Sequence, residues 1–456
     1  MSDKWKELYK EKLYTPDELA GMIDNNDRIC SPTANGTPRI FWHCLAKRIA
    51  NGELPDLEAI LGLNLNAPDI CKPEVSSQFY YRDGFTSPVS RKGAQMGFID
   101  PTPIRFSDIP RTNIELRDYT AATFTASPMD KHGWFSVGLN ASHAFSSVQR
   151  AKQNGKPIKI YLEVNNHHPF IYGHSHVHIS EVTGLCEADW PLIPIPTEPP
   201  TREDLAIGAY IAEEIPDGAC IQLGIGGLPN AVGLNLKHKQ DLGGHTEIIV
   251  ESYKELYECG ALTNRKKNFV PDRIVGTLVL GTKELYDWCD HNKIMEIHGV
   301  DFTCNPYVAA QNDNFMTVNA IMECDLSGQC VTDSQDTRQY SGMGGQQDFV
   351  QAGWMSKGGK SFLAMPSTFT NKDGTVQSKI SPVVSGWIGI NRWDVHYLVT
   401  EYGCVQLKGC GMRERVKKIV SIAHPDFRDW LVSEAKRLHL IDSKSDIDIK
   451  NMRKNI

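Results

Sequence analysis

The residues best suited to chemistry are concentrated in the run Cys220 to Ser252, CIQLGIGGLPNAVGLNLKHKQDLGGHTEIIVES. A short apolar stretch, Cys220 to Leu223, is broken by Gly224-Ile225-Gly226-Gly227, and after Pro229 a helix is expected over Asn230 to Lys239. A second apolar run, Ile248 to Val250, follows, with Glu247 at its mouth. Strand, glycine turn, helix and strand read as a βαβ-like unit. In such units the carboxyl end of the first strand faces the ligand crevice, and glycines let a ligand chain approach the backbone amides closely. The turn is not the dinucleotide fingerprint, because Pro229 stands where a third glycine would be wanted; a proline there sets the helix start instead. A carboxylate becomes a nucleophile when it is fixed against a carbonyl and stripped of some water. Position alone would make Glu247 a solvated strand-edge residue, since glutamate is rarely buried unpaired.

The elements that must hold these residues belong to an ordinary globular chain. At 456 residues it should form two or three domains of roughly 100 to 200 residues each. With 41% hydrophobic and 23% charged residues and a net charge of -7, it has no basic surplus for a nucleic-acid backbone. The charged start, MSDKWKELYKEKLY, lacks the apolar core of a signal peptide. No apolar run approaches the length of about 18 residues that a membrane span needs, so a cytoplasmic location is expected. The 12 cysteines are scattered without a CxxC pair, which argues for reduced, mostly buried thiols rather than disulfides or a zinc knuckle.

Along the chain, short apolar runs alternate with helical stretches, the pattern of an α/β fold. Thr15-Pro16 should cap a helix, Arg28 to Cys30 should form a first strand, and Pro38 to Ala50 a helix. Further strands are expected within Glu53 to Asn66, at Asp118 to Ser127, at Gly133 to Leu139 and at Ile158 to Val164. His174, His176 and His178 would share one face of an extended segment, but no carboxylate or cysteine at ligand spacing completes a metal site. The proline-rich stretch Pro191 to Thr201 reads as a semi-rigid spacer. It divides the chain into expected domains 1–195 and 196–456. Beyond it, Tyr340 to Phe349 supplies a second glycine turn, and Val395 to Thr400 a strand that closes at Glu401.

Taken together, Gln222 to Gly226, His245-Thr246-Glu247, Tyr340 to Phe349, Val399 to Gly403 and Ser421 to Phe427 resemble the acetyl-CoA hydrolase/transferase family over nearly the whole chain. Within it the likeness is greatest to the butyryl-CoA:acetate and 4-hydroxybutyrate CoA-transferases. The resemblance implies two open-sheet α/β domains of the CoA-transferase type with the active site between them. It carries the catalytic glutamate onto Glu247 and the CoA-binding positions onto Gln222, Leu223, Gly224, Ile225 and Gly226, with Met322, Gly345 and Lys372 meeting CoA or the acyl group. It implies CoA exchange between acetyl-CoA and a short-chain carboxylic acid through a glutamyl-CoA thioester. Coenzyme A is then a co-substrate, no cofactor is held permanently, and the chain is expected to form a homo-oligomer. Glu251-Ser252-Tyr253 departs from the family's usual Ser-Asp-Gly, and Gln95 to Phe98 from an expected histidine-glycine loop. A hydrolase using water as acceptor and a non-catalytic CoA-binding protein are the alternatives.

Overall fold

Two parallel sheets organise the chain. The computed structural model describes residues 3–196 and 198–444; Thr197, which falls within the proline-rich stretch, and both extreme ends lie outside the described residues. The first sheet has seven strands in the spatial order Asp100–Pro101, Tyr80–Asp83, Glu58–Leu61, Arg28–Cys30, Ala121–Ala126, Lys159–Val164 and Gly184–Glu187. All of its pairings are parallel. Such sheets must be covered on both faces; accordingly all six residues of Ala121–Ala126 are buried. The helix Arg39–Ala50 contributes Phe41, Trp42, Leu45 and Ile49 to one covering layer.

The second sheet runs Gly243–Gly244, Cys220–Leu223, Phe315–Ala320, Lys360–Ala364, Tyr397–Thr400 and Gly403–Gln406. Its first five strands are parallel and the last is antiparallel. The largest apolar core draws on both halves of the chain, with Phe124, Leu162 and Phe145 in continuous packing with Ile221, Phe315 and Phe349. Local signals hold where they have a mechanism. Thr15 and Glu18 form a reciprocal capping box with Pro16 in the first turn of the helix Pro16–Gly21.

Two expectations need correction. The strand that completes the unit begun at Cys220 is Gly243–Gly244, whereas Ile248–Ile249 pairs with Leu278–Val279 outside the main sheet. The replacement strand is invisible to pattern reading because it is two glycines in a crowded place. A Cβ on Gly243 would lie 2.4 Å from Lys267 Cγ, and one on Gly244 would lie 3.1 Å from Tyr253 Cε1. The helix after the glycine turn spans Gly227–Asn235 rather than Asn230 to Lys239, starting where Gly226 turns the chain at φ 108°. Within the expected strand Gly133 to Leu139 and the extended histidine segment, Trp134–Ser136 and His176–His178 pair with each other as an antiparallel ribbon apart from the large sheets. The three imidazoles then take separate aromatic neighbours: His174 packs on Phe145, His176 on Phe170, and His178 on Trp5 and Trp134. Among the described residues no group of three or more His, Cys, Asp or Glu is placed to hold a metal ion, and no helix is long and apolar enough to cross a membrane.

Candidate active site

Glu247 sits where the backbone is pinned from several sides. The amides of Thr277 and Leu278 both donate to its carbonyl, at 3.1 and 3.2 Å. On its N-terminal side, Thr246 Oγ1 donates to the carbonyls of Leu223 and Ile248. The buried His245 ring places Nε2 2.8 Å from the Thr303 carbonyl; burial pushes its pKa down to about 3, so it serves as a neutral brace. Tyr253 holds the first strand in register. Its hydroxyl accepts from the Leu223 amide at 2.9 Å and donates to the Ile221 carbonyl at 3.3 Å. Tyr253 thus supports the strand that leads into the glycine turn.

The Glu247 carboxylate faces a cavity of 290 Å³ lined by both halves of the chain. Gln222, Leu223, Gly224, Ile225, Met322 and Gly345 line it together with Glu247, while Thr33, Leu63, Phe85, Phe106 and His143 close it from the N-terminal half. Gly226 is the next residue along from this wall but is not part of the lining, and Lys372 is exposed in the hairpin formed by Thr368–Thr370 and Val376–Ser378. Gln222 and Asn319 exchange amide hydrogen bonds across neighbouring strands at 3.4 and 3.1 Å, which fixes both side chains on the cavity wall.

The second glycine turn is the partner of the carboxylate. The Gly345 N–H donates to Glu247 Oε2 at 2.7 Å, and a Cβ on Gly345 would lie 2.4 Å from that oxygen. The turn is clamped to the N-terminal half. Arg91 stacks 3.8 Å over the Tyr340 ring and donates to the Tyr340 carbonyl, the Phe106 amide donates to the Gly344 carbonyl, and Gly342 lies so close to Phe85 that a Cβ would meet its Cα at 2.7 Å. Burial raises the Glu247 pKa to about 7 against the pull of the Gly345 amide, and the negative charge of Asp348 pushes in the same direction as burial. Asp348, in the first turn of the helix Gln346–Met355, is itself raised to about 7 by burial while accepting from the amide and hydroxyl of Ser107.

The rival acids have structural partners. Glu401 accepts from the amide and hydroxyl of Ser367 at 2.7 and 2.5 Å. Glu251 accepts from the Thr282 amide, and Glu181 pairs with Lys152 on the surface. Sequence reasoning missed His143, a lone histidine in a helix whose place in the cavity follows only from how the two halves meet. Asp348 stood inside a quoted motif without a role, although its position three residues into a helix behind a glycine turn was readable.

Comparison with known proteins agrees with this architecture. Residues 2–196 match the acetyl-CoA hydrolase/transferase N-terminal domain and residues 281–435 its C-terminal domain. The chain is 37% identical to the succinyl-CoA:cyclohexane-1-carboxylate CoA transferase of Geobacter metallireducens, over 96% of this chain and 98% of that protein. It is 36% identical to the 4-hydroxybutyrate coenzyme A transferase of Clostridium kluyveri, over 95% and 99%. The crystal structure of RipA from Yersinia pestis superposes with a TM-score of 0.89 at 35% identity, covering 96% of this chain and all of that one. The chain belongs to the acetyl-CoA hydrolase/transferase family and is an enzyme of its CoA-transferase branch.

Proposed function

We propose that the enzyme exchanges CoA between acetyl-CoA and a short-chain carboxylic acid of the butyrate or 4-hydroxybutyrate type, with Glu247 as the nucleophile. The observation that carries this reading is a partly buried carboxylate in a cavity, held by one backbone amide and kept poorly solvated. In the first step Glu247 Oε1 attacks the acyl-CoA carbonyl, and collapse of the tetrahedral adduct gives a mixed anhydride and CoA thiolate. The thiolate then attacks the glutamyl carbonyl, which releases the first acid as its carboxylate and leaves a glutamyl-CoA thioester. The incoming acid runs the same two steps in reverse.

The Gly345 amide has a defined part in the second step. Glu247 Oε2 becomes the carbonyl oxygen of the anhydride and then the oxyanion of the second tetrahedral adduct, with a donor already aimed at it. Such a preorganised donor is worth about 3 kcal/mol of barrier. The largely apolar wall limits hydrolysis of the anhydride and thioester. The glycine turn at 224–227 is read as the second source of amides, for the substrate carbonyl or the CoA chain. The two-domain division at 195/196, a cytoplasmic location and a homo-oligomeric state belong to the same reading.

Exchange of labelled acetate into acetyl-CoA tests the reaction. Wild type should exchange label, Glu247→Ala should not, and robust exchange by the variant removes Glu247 from the mechanism. The competing hydrolase reading is separated by thiol release. A transferase frees almost no CoA from acetyl-CoA when no acceptor is added, whereas a hydrolase frees it at its full rate.

A further inference from the structure

Burial gives the cavity a direction. Of the lining residues Ile225 and Tyr340 are 42% and 36% exposed, whereas Phe106, Ile109 and His143 are 6%, 1% and 1% exposed. A CoA chain can enter only from the exposed side, so an acyl tail attached at Glu247 extends toward the buried end. Among the described residues lining the cavity there is no lysine or arginine. The nearby Arg82 is occupied, within 3.6 Å of Glu58 and donating to the Tyr119 hydroxyl. A tail bearing a second carboxylate would therefore lose its hydration without gaining a cation, a cost of several kcal/mol per ion.

Among the described lining residues, His143 and Thr332 keep buried polar atoms without a hydrogen-bond partner, and His143 is the one packed on Phe106. Neither ring nitrogen of His143 makes a hydrogen bond of good geometry, although the Ser31 carbonyl is close enough to pull weakly on the ring, and the ring is tilted against Phe106 at 5.9 Å. The neighbouring polar residue, Thr33, is already bonded to Asn140. Burial and the Arg82 charge hold His143 neutral, lowering its pKa to about 3 against a weak opposing pull from the Ser31 carbonyl. A neutral imidazole offers one donor and one acceptor, which suits a hydroxyl or oxo oxygen and supplies no charge for a carboxylate. The volume of 290 Å³ lies at the small end of ligand pockets, about 300 to 1,000 Å³, so the tail is short.

We propose that the buried end of the cavity is an acyl-tail site for short uncharged tails carrying a hydroxyl or oxo oxygen, read by His143, and that it rejects dicarboxylic acids. The inference rests on the transferase reading above and narrows it to a substrate class. His143 is a specificity-determining residue that touches the tail and takes no part in bond making.

The test is a set of kcat/KM values with acetyl-CoA as donor and butyrate, 3-hydroxybutyrate, 4-hydroxybutyrate and succinate as acceptors, in wild type and in His143→Phe and His143→Gln. The better hydroxy acid should exceed butyrate by about tenfold in wild type, the worth of one buried hydrogen bond. His143→Phe should bring the hydroxy acid and butyrate to within about threefold of each other, and His143→Gln, which retains a donor and an acceptor, should restore part of the preference. Succinate should fall at least about a hundredfold below butyrate. Succinate within tenfold of butyrate, or an equal loss on butyrate and the hydroxy acid in both variants, overturns the proposal. Labelled-acetate exchange run on the same preparations isolates the tail site: where acetate exchanges normally, the comparison judges the tail inference and not the reaction.

Discussion

The Gly345 amide donates to Glu247 Oε2 across a sequence separation of 98 residues, and the missing side chain of that glycine leaves the space the carboxylate occupies. One residue thus supplies the donor and the room for the acceptor. With φ of -89°, Gly345 has a backbone that any residue can adopt, so its identity answers to the carboxylate and not to the turn.

Gly345→Ala should therefore fold normally and react poorly. The added methyl displaces Glu247 from its donor, and kcat should fall about 10² to 10³-fold, the usual cost of losing one oxyanion-type hydrogen bond. Steady-state exchange kinetics together with a thermal melt check this; a variant with wild-type kcat would detach the amide from catalysis.

The pH dependence follows from the carboxylate being the reactive form. With Glu247 held at about 7, the single-turnover rate of enzyme acylation should rise with pH through about 7 and level off above it. Asp348→Asn, which keeps an acceptor for Ser107 but removes a neighbouring negative charge, should move the midpoint lower. A rate that is flat from pH 5 to 8 would contradict the assignment.

The same shift has a stability consequence. Because the folded pKa lies above the ordinary value of 4.5, burial of Glu247 costs nothing below that pH and becomes progressively destabilising as pH rises through 7. Glu247→Gln should accordingly be more stable than wild type at pH 8 by up to about 3 kcal/mol. Denaturant titrations should show the gap closing below about pH 4.5.

Glu401 and Ser367 should behave in the opposite way. Both lie outside the cavity lining, and their paired hydrogen bonds tie the loop after Lys360–Ala364 to the turn after Tyr397–Thr400. Ser367→Ala should cost about 1 to 3 kcal/mol of stability with kcat unchanged; a large loss of kcat at wild-type stability would bring Glu401 back as a candidate acid.

These contrasts mark what could be read from the residues. Alternating apolar runs and helix caps foretold the α/β character, and the two glycine turns with Glu247 do come together at one cavity. Long-range placement was not legible. The Gly243–Gly244 strand carries no hydrophobic period, because its position is set by crowding against Lys267 and Tyr253. His143 acquires meaning only when the helix Ser142–Gln153 meets Phe106 and the facing half of the chain. Lys372 lies exposed on its hairpin and outside the cavity lining.

Covalent trapping addresses the nucleophile most directly. Enzyme mixed with acetyl-CoA and treated with borohydride should carry its reduced glutamyl residue at position 247, identified by peptide mass spectrometry, and the label should be absent when acetyl-CoA is omitted. Active enzyme whose Glu247 peptide stays unmodified, or whose label falls on another carboxylate, would contradict the account.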